Sequence, residues 1–321
     1  MNNVLILAFP QEWDASEIFS FLEGRNCRLS VHHPQEPVTE DEIISLIGGV
    51  DGVITGSHPY TRRVISAADK LKIISRTGAG YDNIDLEAAT ERGIIVTTTP
   101  DANSESVAEL AMGLMLAVAR QIPQADRDIR RGGWSPHLGV ELYQKTLGIV
   151  GLGKIGKRLA KRAYGFDMTI LAYDLYQDEA FAAEYGVTYL PFEELLTRAD
   201  FISIHSPLTP ETSGLIGEPE LKLMKPTAYL INTARGPIVD EPSLIKALRA
   251  GWIAGAGLDV FSQEPPTNSP LLSIENVVLG PHVAASTEEA MYRMAIGAAE
   301  NVVKVFEGKQ PLGVVNAVVS G

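Results

Sequence analysis

The stretch that decides the fold is Leu147-Gly-Ile-Val-Gly-Leu-Gly-Lys-Ile-Gly156, in which an apolar strand runs directly into the pattern Gly-x-Gly-x-x-Gly. Gly151 permits a tight turn, Gly153 lets the backbone approach a pyrophosphate, and Gly156 lets the next helix pack closely on the strand. The N–H groups at the start of that helix then face the anion. Glycine-rich turns are common, so the surrounding sequence has to support this interpretation.

The sequence that follows the glycines supplies this support. A second apolar strand is predicted over residues 169–173, and Asp174 stands at its end, 18 positions after Gly156. An acid at this position hydrogen-bonds the ribose 2′-hydroxyl and repels a 2′-phosphate. Residues 175–177 contain no arginine that could bind such a phosphate. The sequence therefore predicts NAD, and not NADP, as the cofactor.

Further predicted strands follow the glycine motif and complete one sheet. Short apolar runs alternate with helical patterns, which is typical of βαβ units with parallel strands. A complete Rossmann-type, doubly wound, dinucleotide-binding sheet has six strands, the number predicted here. The predicted strands of this sheet are 147–150, 169–173, 201–205, 228–232, 255–260 and 277–279.

The first hundred residues show the same alternation and predict a second parallel α/β layer. Helical patterns cover residues 40–47 and 85–92, and Asp85 is placed to cap the second of these helices. Residues 103–119 are apolar on nearly every face, which predicts a long helix buried in a core or at a subunit interface. A last long helix is predicted over 287–307. The predicted strands of this layer are 4–8, 29–32, 52–55, 72–75 and 94–97.

Charge and composition narrow the classes of partner. The formal net charge is −13, and an acidic surface repels nucleic-acid phosphates and anionic membranes. The single cysteine, Cys27, excludes an internal disulfide and fits a reducing compartment. The first residues lack the features of a signal peptide, and no apolar run approaches the length of a membrane span. We therefore expect a cytoplasmic protein that acts on a small molecule.

Three residues with suitable chemistry follow the later predicted strands: Arg235, Glu264 and His282. Reduction of a 2-keto acid needs a cation for the carboxylate, which the planar fork of arginine supplies. It also needs a proton donor, and histidine titrates near neutral pH. A carboxylate beside the imidazole would stabilise its protonated form. Because Glu264 and His282 are 18 positions apart, only the fold could bring them together.

Each of these residues also has an ordinary structural explanation. The arginine could belong to a loop, the glutamate to the solvated surface and the histidine to the core, but their occurrence together after successive strands favours catalysis. His205, at the end of another predicted strand, is a candidate neighbour of the cofactor. The sequence has no metal-ligand spacing such as His-Glu-x-x-His and no Gly-x-Ser-x-Gly elbow, so we predict neither a metal site nor a serine hydrolase.

Ordered motifs along almost the whole chain resemble the D-isomer-specific 2-hydroxyacid dehydrogenase family, most closely the core of its phosphoglycerate dehydrogenases in a short form without the regulatory domain. So many motifs in the same order make the resemblance specific. They are Gly78-Ala-Gly-Tyr-Asp-Asn-Ile-Asp-Leu-Glu-Ala-Ala89, Asn103-Ser-Glu-Ser-Val-Ala-Glu109, Gly148-Ile-Val-Gly-Leu-Gly-Lys-Ile-Gly156, His205-Ser-Pro-Leu-Thr209, Asn232-Thr-Ala-Arg-Gly236, Gly257-Leu-Asp-Val-Phe261, Glu264-Pro-Pro266 and Pro281-His-Val-Ala-Ala-Ser286.

The resemblance implies how the domains are arranged. An NAD-binding domain over residues 100–286 would be inserted in a smaller, flavodoxin-like α/β domain made of residues 1–99 and 287–321, which binds the substrate. A cleft between the domains and a homodimer built around the long helix from Asn103 are implied as well. None of these features follows from the periodicity of the sequence.

The resemblance also assigns roles to individual residues. By this match Arg235 binds the substrate carboxylate and carbonyl, His282 is the acid/base and Glu264 tunes it. Backbone N–H groups of Gly78, Ala79 and Gly80 would bind the substrate carboxylate, and Ser57 is a further residue expected to bind the substrate. Lys154 and Ile155 would lie at the pyrophosphate. The remaining positions expected to line the cofactor are Ser206, Thr233, Ala234, Asp259 and Ala285.

The substrate is left open by the sequence. Glu264 points to a hydroxy/keto pair, because the formate dehydrogenases of this superfamily have glutamine there. Phosphoglycerate dehydrogenases tend to have an arginine just before the serine that matches Ser57, and here that residue is Gly56. Arg62, Arg63 or Arg76 would have to replace the missing charge. Glyoxylate, hydroxypyruvate or a larger keto acid would need no such cation.

A different class of protein competes with the enzyme hypothesis. Transcriptional corepressors with this fold sense NAD without catalysis. The presence of all three candidate catalytic residues favours an enzyme, and a panel of keto acids with NADH separates the two hypotheses.

Overall fold

The computed structural model describes residues 1–33 and 38–317. This part of the chain divides into two compact units. Unit 1 consists of Met1–Asn103 and Thr287–Gly321, and unit 2 is Ser104–Ser286. The first division therefore follows Asn103, whereas the sequence analysis places it after residue 99. The binding roles expected for the two units stay predictions at this point.

Unit 1 contains a five-stranded parallel sheet in the order β2-β1-β3-β4-β5, which is the flavodoxin order. Val4 of β1 pairs with Leu29 of β2 on one side and with Gly52 of β3 on the other. The strands are β1 (Asn2–Ile6), β2 (Cys27–Val31), β3 (Gly52–Thr55), β4 (Ile73–Arg76) and β5 (Ile95–Thr97). The helices are α1 (Ser16–Glu23), α2 (Glu40–Ile47), α3 (Arg62–Ala67), α4 (Leu86–Glu91) and α12 (Glu288–Phe306).

Local sequence explains where these helices begin. Thr39 and Glu42 form a reciprocal capping box at the start of α2, since each side chain accepts a hydrogen bond from the backbone N–H of the other residue. Asp85 caps α4 by accepting from the N–H of Ala88, so the predicted cap is confirmed. Such caps satisfy N–H groups that a helix leaves without an internal acceptor, and they fix the loop lengths between strands and helices.

Unit 2 contains a parallel sheet in the order β12-β11-β10-β9-β6-β7-β8. Its strands are β6 (Thr146–Val150), β7 (Thr169–Tyr173), β8 (Val187–Tyr189), β9 (Phe201–Ile204), β10 (Tyr229–Asn232), β11 (Gly255–Leu258) and β12 (Val277–Leu279). Its helices are α5 (Ser104–Ala119), α6 (Ile122–Arg130), α7 (Lys154–Tyr164), α8 (Glu179–Tyr185), α9 (Phe192–Arg198), α10 (Glu218–Leu223) and α11 (Glu241–Ala250).

The prediction of six strands was wrong for this sheet, because the described residues form seven. The missed strand is β8, an edge strand of three residues. A run this short carries too few side chains to show a period of two. The predicted fold class itself, a Rossmann-type doubly wound sheet in a chain that also forms a flavodoxin-like α/β domain, is confirmed.

The long apolar helix α5 lies against the sheet of unit 2. It packs on α7, β10 and β11. A Cβ atom at Gly257 of β11 would lie 2.9 Å from Leu114 Cβ of α5, so the glycine permits this close approach. Much of the apolar surface of α5 is therefore buried in the interior of unit 2. Ion pairs from Arg158 and Arg162 of α7 hold its exposed acids, Glu105 and Glu109.

Because neighbouring strands in each sheet are parallel, their carboxyl ends lie at one edge, and the loops after them are the expected place for a functional site. In unit 2 two strands end earlier than predicted, so that His205 and Asp259 lie just beyond β9 and β11. Within the described residues no helix has the length and apolar composition needed to cross a membrane.

Candidate active site

Loops after the strands of unit 2 carry most of the predicted site residues. Gly151 and Gly153 follow β6, Asp174 follows β7, and His205 and Ser206 follow β9. Lys154, Ile155 and Gly156 form the first turn of α7. The loops after β10, β11 and β12 hold the rest, namely Thr233, Ala234, Arg235, Asp259, Glu264, His282 and Ala285.

The fold brings Glu264 and His282 into direct contact. Nδ1 of His282 and Oε2 of Glu264 are 2.7 Å apart, within hydrogen-bond distance. The two side chains are 37% and 38% exposed, so the pair is accessible to a ligand from solvent. With Nδ1 occupied by the carboxylate, Nε2 is the ring nitrogen that remains for a substrate.

Glu264 is held as an ionised acceptor. Its other oxygen, Oε1, accepts a hydrogen bond of 3.0 Å from the backbone N–H of Phe261. Burial alone would raise the pKa of Glu264. This effect is outweighed by the hydrogen bond and charge of His282, the hydrogen bond from the Phe261 N–H and the charge of Arg235. The pKa of Glu264 therefore lies below its ordinary value. The carboxylate is therefore suited to stabilise a protonated imidazole.

Arg235 is placed by a buried asparagine that the sequence analysis did not single out. The side chain of Asn232 donates to the backbone oxygen of Arg235 and accepts from the N–H of Ala234, at 2.9 and 3.0 Å. Nη1 of Arg235 donates to the Ala234 carbonyl at 2.8 Å. Asn232 is almost fully buried at the end of β10, and a polar residue that closes a predicted strand was the signal that could have identified it.

The glycine motif has the geometry expected of a nucleotide-binding turn. Gly151 has a φ of +95°, and a Cβ atom there would lie 2.7 Å from the backbone N of Ser206. A Cβ at Gly156 would overlap the carbonyl oxygen of Gly151. At Gly153 a Cβ would meet no atom within 4 Å, which leaves open space at the start of α7. The tight turn at Gly151, the close packing at Gly156 and the open space at Gly153 thus lie where the motif predicts them.

Asp174 is fixed next to this turn. Its Oδ2 accepts a hydrogen bond of 2.6 Å from the N–H of Leu152, and its Oδ1 accepts one of 2.9 Å from the N–H of Tyr176. A carboxylate oxygen can accept more than one hydrogen bond, so the side chain remains able to bind a ribose hydroxyl.

Buried polar atoms next to the turn provide a test of whether a cofactor fits. Within the described chain, Nδ1 of His205, Oγ of Ser206 and Oγ1 of Thr233 are buried and have no hydrogen-bond partner. Buried polar groups in proteins are normally paired, so such a cluster at the ends of β9 and β10 is typical of a site completed by a ligand. The donor set and the glycine turn fit a dinucleotide.

In unit 1 the structure places the predicted carboxylate-binding loop directly after β4. Gly78 has a φ of +123°, which favours glycine. Its N–H donates to Oγ1 of Thr99 at 2.7 Å, and its carbonyl accepts from the N–H of Thr99 at 2.9 Å. The N–H of Gly78 therefore already donates within unit 1. Of the three N–H groups expected to bind a carboxylate, those of Ala79 and Gly80 remain. Ser57 follows β3, the neighbouring strand.

Arg62, Arg63 and Arg76 are the three arginines considered above as substitutes for the missing phosphate-binding charge, and their surroundings differ. Arg62 forms ion pairs with Asp85, Glu87 and Glu91, and Arg63 forms them with Glu40 and Asp41. Both lie on the exposed surface of unit 1 among carboxylates. Arg76, by contrast, is the last residue of β4 and donates to the carbonyl of Thr77. A Cβ at Gly78 would overlap its guanidinium, so Arg76 is in contact with the predicted substrate loop.

No cluster of histidine, cysteine and carboxylate side chains in the described part of the chain has the arrangement of a metal site. The free Cys27 is buried within unit 1.

Comparison with known proteins identifies relatives over almost the whole chain. Residues 112–284 match the family model of the D-isomer specific 2-hydroxyacid dehydrogenase, NAD binding domain. A glyoxylate reductase from Korarchaeum cryptofilum is 46% identical over 296 residues, covering 90% of this chain and 89% of that protein. A D-3-phosphoglycerate dehydrogenase from Methanocaldococcus jannaschii is 49% identical over 283 residues, covering 87% of this chain but only 54% of the relative. The crystal structure of the TT0316 protein from Thermus thermophilus matches with a TM-score of 0.89 and 37% identity, covering 98% of this chain and 99% of that one.

Proposed function

Because the chain belongs to the D-isomer-specific 2-hydroxyacid dehydrogenase family, it is an NAD-dependent oxidoreductase acting on a D-2-hydroxy acid/2-keto acid pair, and we propose Arg235, Glu264 and His282 as its catalytic residues. The observation that supports the assignment is the 2.7 Å contact between His282 Nδ1 and Glu264 Oε2. A carboxylate that fixes an imidazole in this way leaves Nε2 to act on the substrate.

In keto-acid reduction NADH, when bound, would supply the hydride for the carbonyl carbon. His282 delivers a proton from Nε2 to the carbonyl oxygen as charge develops there. Glu264 stabilises the imidazole in its protonated form before that transfer. The guanidinium of Arg235 holds the substrate carboxylate and polarises the carbonyl. Oxidation of the hydroxy acid uses the same groups in reverse, with His282 accepting the proton.

In this proposal unit 2 binds the cofactor and carries the three catalytic residues, and unit 1 adds further groups for the substrate. Unit 2 would hold NAD through the turn from Gly151 to Gly156, with Lys154 and Ile155 at the pyrophosphate and Asp174 at the adenosine ribose. The residues proposed to line the rest of the cofactor are His205, Ser206, Thr233, Ala234, Asp259 and Ala285. Unit 1 would contribute Ser57 and the loop Gly78, Ala79 and Gly80 to substrate binding, with the N–H groups of Ala79 and Gly80 as the donors.

We propose a small, unphosphorylated 2-keto acid such as glyoxylate or hydroxypyruvate as the substrate. Gly56 stands where phosphoglycerate dehydrogenases tend to have an arginine, and Arg62 and Arg63 are engaged by surface carboxylates. A relative that this chain matches over 89% of that protein's length is named a glyoxylate reductase.

Arg76 favours a second candidate substrate, 3-phosphohydroxypyruvate. Its guanidinium lies against Gly78, at the start of the loop proposed to bind the carboxylate. A cation there would attract a second anionic group on the same substrate.

Turnover of a keto-acid panel with NADH tests both the class and the substrate. The panel contains glyoxylate, hydroxypyruvate, 3-phosphohydroxypyruvate, pyruvate and a branched keto acid. We expect glyoxylate or hydroxypyruvate to have the highest kcat/KM. If 3-phosphohydroxypyruvate is faster than its parent, and Arg76→Gln removes only that preference, the second candidate is correct. Inactivity with every compound, together with tight NADH binding, would favour an NAD sensor.

We also propose that the protein is a cytoplasmic homodimer. The cytoplasmic location is supported by the single cysteine, which fits a reducing compartment, and by the acidic net charge, which disfavours binding to anionic membranes. A cluster of exposed apolar side chains supports the dimer, since Trp134 is 90% and Leu138 92% exposed in the segment that follows α6. Much of α5 is already buried within unit 2, so the proposed interface centres on residues 122–143 and not on α5 alone.

A further inference from the structure

Glu264 lies on a loop, residues 262–269, that exposes most of its side chains. A segment with few buried apolar contacts opens easily unless hydrogen bonds hold it. Both ends of this loop are bound by one carboxylate that the sequence analysis did not single out, that of Glu241. Its Oε2 accepts from the N–H and from Oγ of Ser262, at 3.1 and 2.6 Å, and its Oε1 accepts from Oγ of Ser269 at 2.6 Å.

The two serines lie where the loop joins the hydrophobic core of unit 2. Ser262 directly follows Phe261, whose side chain belongs to that core. Oγ of Ser269 also accepts from the N–H of Leu271 at 3.3 Å, and Leu271 is another core residue, 1% exposed. Glu241 therefore holds together the two points at which the chain leaves the core and returns to it.

Glu241 belongs to the same segment of the chain as Arg235. It is the first residue of α11 (Glu241–Ala250), which begins shortly after the loop that carries Arg235. A Cβ atom at Gly236 would lie 1.9 Å from the carbonyl carbon of Phe261, so the backbones of the two segments are in direct contact. The loop with Glu264 is thus attached to the segment with Arg235 at two places, by the backbone at Gly236 and by the side chain of Glu241.

A carboxylate at the start of a helix can also serve the helix itself, as a cap or through the helix dipole. The cap of α11 is Asp240, whose Oδ2 accepts from the N–H of Ser243 at 3.0 Å. Burial raises the pKa of Glu241, but the hydrogen bonds from Ser262 and Ser269 outweigh it and leave the pKa below its ordinary value. Glu241 is therefore ionised at neutral pH, and hydrogen bonds to an ionised acceptor are the strong ones.

We propose that Glu241 is a positioning residue for Glu264, a role that rests on the proposed function of Glu264 in catalysis. By holding both ends of the loop 262–269 against the segment of Arg235, it fixes the place of the carboxylate that meets Nδ1 of His282. Without Glu241 the loop would open more often, and Glu264 would contact His282 for only part of the time.

Glu241→Ala is the test variant, because it removes all three hydrogen bonds to the loop. We expect kcat for keto-acid reduction to fall roughly 10- to 100-fold, since small displacements of a catalytic group cost this much, while the Kd for NADH stays within about two-fold. Steady-state kinetics and a fluorescence titration with NADH measure the two quantities. Glu241→Gln keeps the shape and one acceptor and should recover most of the lost rate. A raised Kd for NADH with an unchanged kcat in Glu241→Ala would overturn the proposal.

Asp240→Ala is the matched control. It removes the neighbouring carboxylate, which binds the N–H of Ser243 in the same helix. We expect a lower Tm from the loss of the cap but a kcat within about two-fold of the wild type. Equal losses of both kcat and Tm in Asp240→Ala and Glu241→Ala would reduce Glu241 to a structural residue.

Ser262→Ala combined with Ser269→Ala tests whether Glu241 acts through the loop. This double variant keeps the carboxylate but removes two of its three donors, so we expect a loss of kcat close to that in Glu241→Ala. Adding Glu241→Ala to it should cost little more, because residues of one hydrogen-bond network are not additive. Fully additive losses would contradict the proposal. The double variant also decides the question if Glu241→Ala does not fold.

A spectroscopic measurement separates this proposal from the proposed function. In protein labelled with ¹⁵N-histidine, long-range ¹H–¹⁵N correlations report the hydrogen bonding of Nδ1 of His282, which lies 2.7 Å from Glu264. We expect these signals to move in Glu241→Ala and in the serine double variant but not in Asp240→Ala.

The spectra remain informative even if the wild type reduces no keto acid, in which case the proposed function fails and the positioning role is still decided. Unchanged His282 signals in both Glu241→Ala and the serine double variant would disprove the positioning role.

Discussion

Nε2 of His205 lies 2.8 Å from Oγ of Ser203 just after β9, and Nδ1 of the same ring is buried. Burial lowers the pKa of His205 from 6.5 to about 4, because no neighbouring charge offsets the loss of water. The ring is therefore neutral at neutral pH and can serve the cofactor site as a hydrogen-bonding group without taking part in proton transfer.

The stability of unit 2 should consequently depend on pH through His205. Between pH 6.5 and 4 the unfolded chain binds a proton that the native ring does not, so the free energy of unfolding falls as the pH falls through this window. The full effect is about 3 kcal/mol, and His205→Gln should remove it. Urea unfolding above pH 6.5 and near pH 4 measures the difference. His32→Gln is the control, since His32 forms the same pairing with Ser30 at the surface, and an equal change in both variants would contradict the prediction.

Replacement of His282 by alanine should abolish proton transfer but not cofactor binding. We expect kcat for keto-acid reduction to fall by roughly 10²- to 10⁴-fold, the usual contribution of a positioned acid/base. The Kd for NADH should stay close to the wild-type value. His32→Ala, which removes an exposed histidine of unit 1, serves as the control. Near-normal turnover in His282→Ala would remove this histidine from the mechanism.

Glu264→Gln should change the pH dependence of the rate as well as its size. The pKa of Glu264 lies below its ordinary value, so the carboxylate is ionised, and its stabilising effect is lost only as the pH falls through that lowered pKa. Glutamine offers no charge to a protonated imidazole. The variant should therefore show a kcat roughly 10- to 100-fold below that of the wild type at neutral pH, and this difference should shrink as the pH falls through the lowered pKa of Glu264. A pH profile of unchanged shape would show that the contact is only structural.

Asp174→Ala should weaken the preference for NADH over NADPH. In the proposed site the carboxylate would repel a 2′-phosphate, and its loss would remove both this repulsion and the proposed ligand of the ribose. We expect the Kd for NADH to rise about ten-fold and the Kd for NADPH to rise less or to fall. Asp178→Ala is the control, because Asp178 caps α8 and pairs with Lys157 in the same region. Equal effects on the two cofactors would leave their discrimination to other residues.

Trp134→Ser combined with Leu138→Ser should convert the proposed dimer into a monomer. Both side chains are exposed in the single chain, and burial of such residues drives association. Sedimentation velocity at several concentrations measures the change in mass. Leu312→Ser, at a position 66% exposed in unit 1, should leave the mass unaltered. A wild-type chain that sediments as a monomer would falsify the dimer proposal.

Strand periodicity and glycine spacing were sufficient to predict the dinucleotide-binding sheet, whereas the flavodoxin-like domain made from both ends of the chain was implied only by the resemblance to the family. The strand before Gly151 and the acid at Asp174 lie where the motif requires them, since both depend on backbone geometry that few residues allow. The edge strand β8 was missed because three residues give no reliable alternation. The actual ends of β9 and β11 also differ from the predicted ones, since polar residues continue an apolar run without a visible break.

Contacts between residues that are distant in the chain could not be predicted from the sequence. Residue types suggested that Glu264 and His282 act together, but only the fold shows the hydrogen bond between them. The role of Asn232 was hidden for a similar reason, because its side chain contacts backbone N–H and C=O groups, which are the same in every residue. Ion pairing of Arg62 and Arg63 likewise depends on acids more than twenty positions away in the sequence.

Unit 1 is assembled from both ends of the chain, and this has a consequence for its synthesis on the ribosome. One face of its sheet, with Val4, Ile54 and Ile73, is covered in part by Ala298 and Val302 of α12. At about 5–20 residues per second the intervening unit takes roughly ten to forty seconds to translate, and the nascent sheet lacks that cover throughout. Chaperones that shield apolar surface should therefore associate with the emerging chain until α12 leaves the exit tunnel. Moving the codons for residues 287–317 to the front of the reading frame by circular permutation should shorten that association, as ribosome profiling of chaperone-bound chains would reveal.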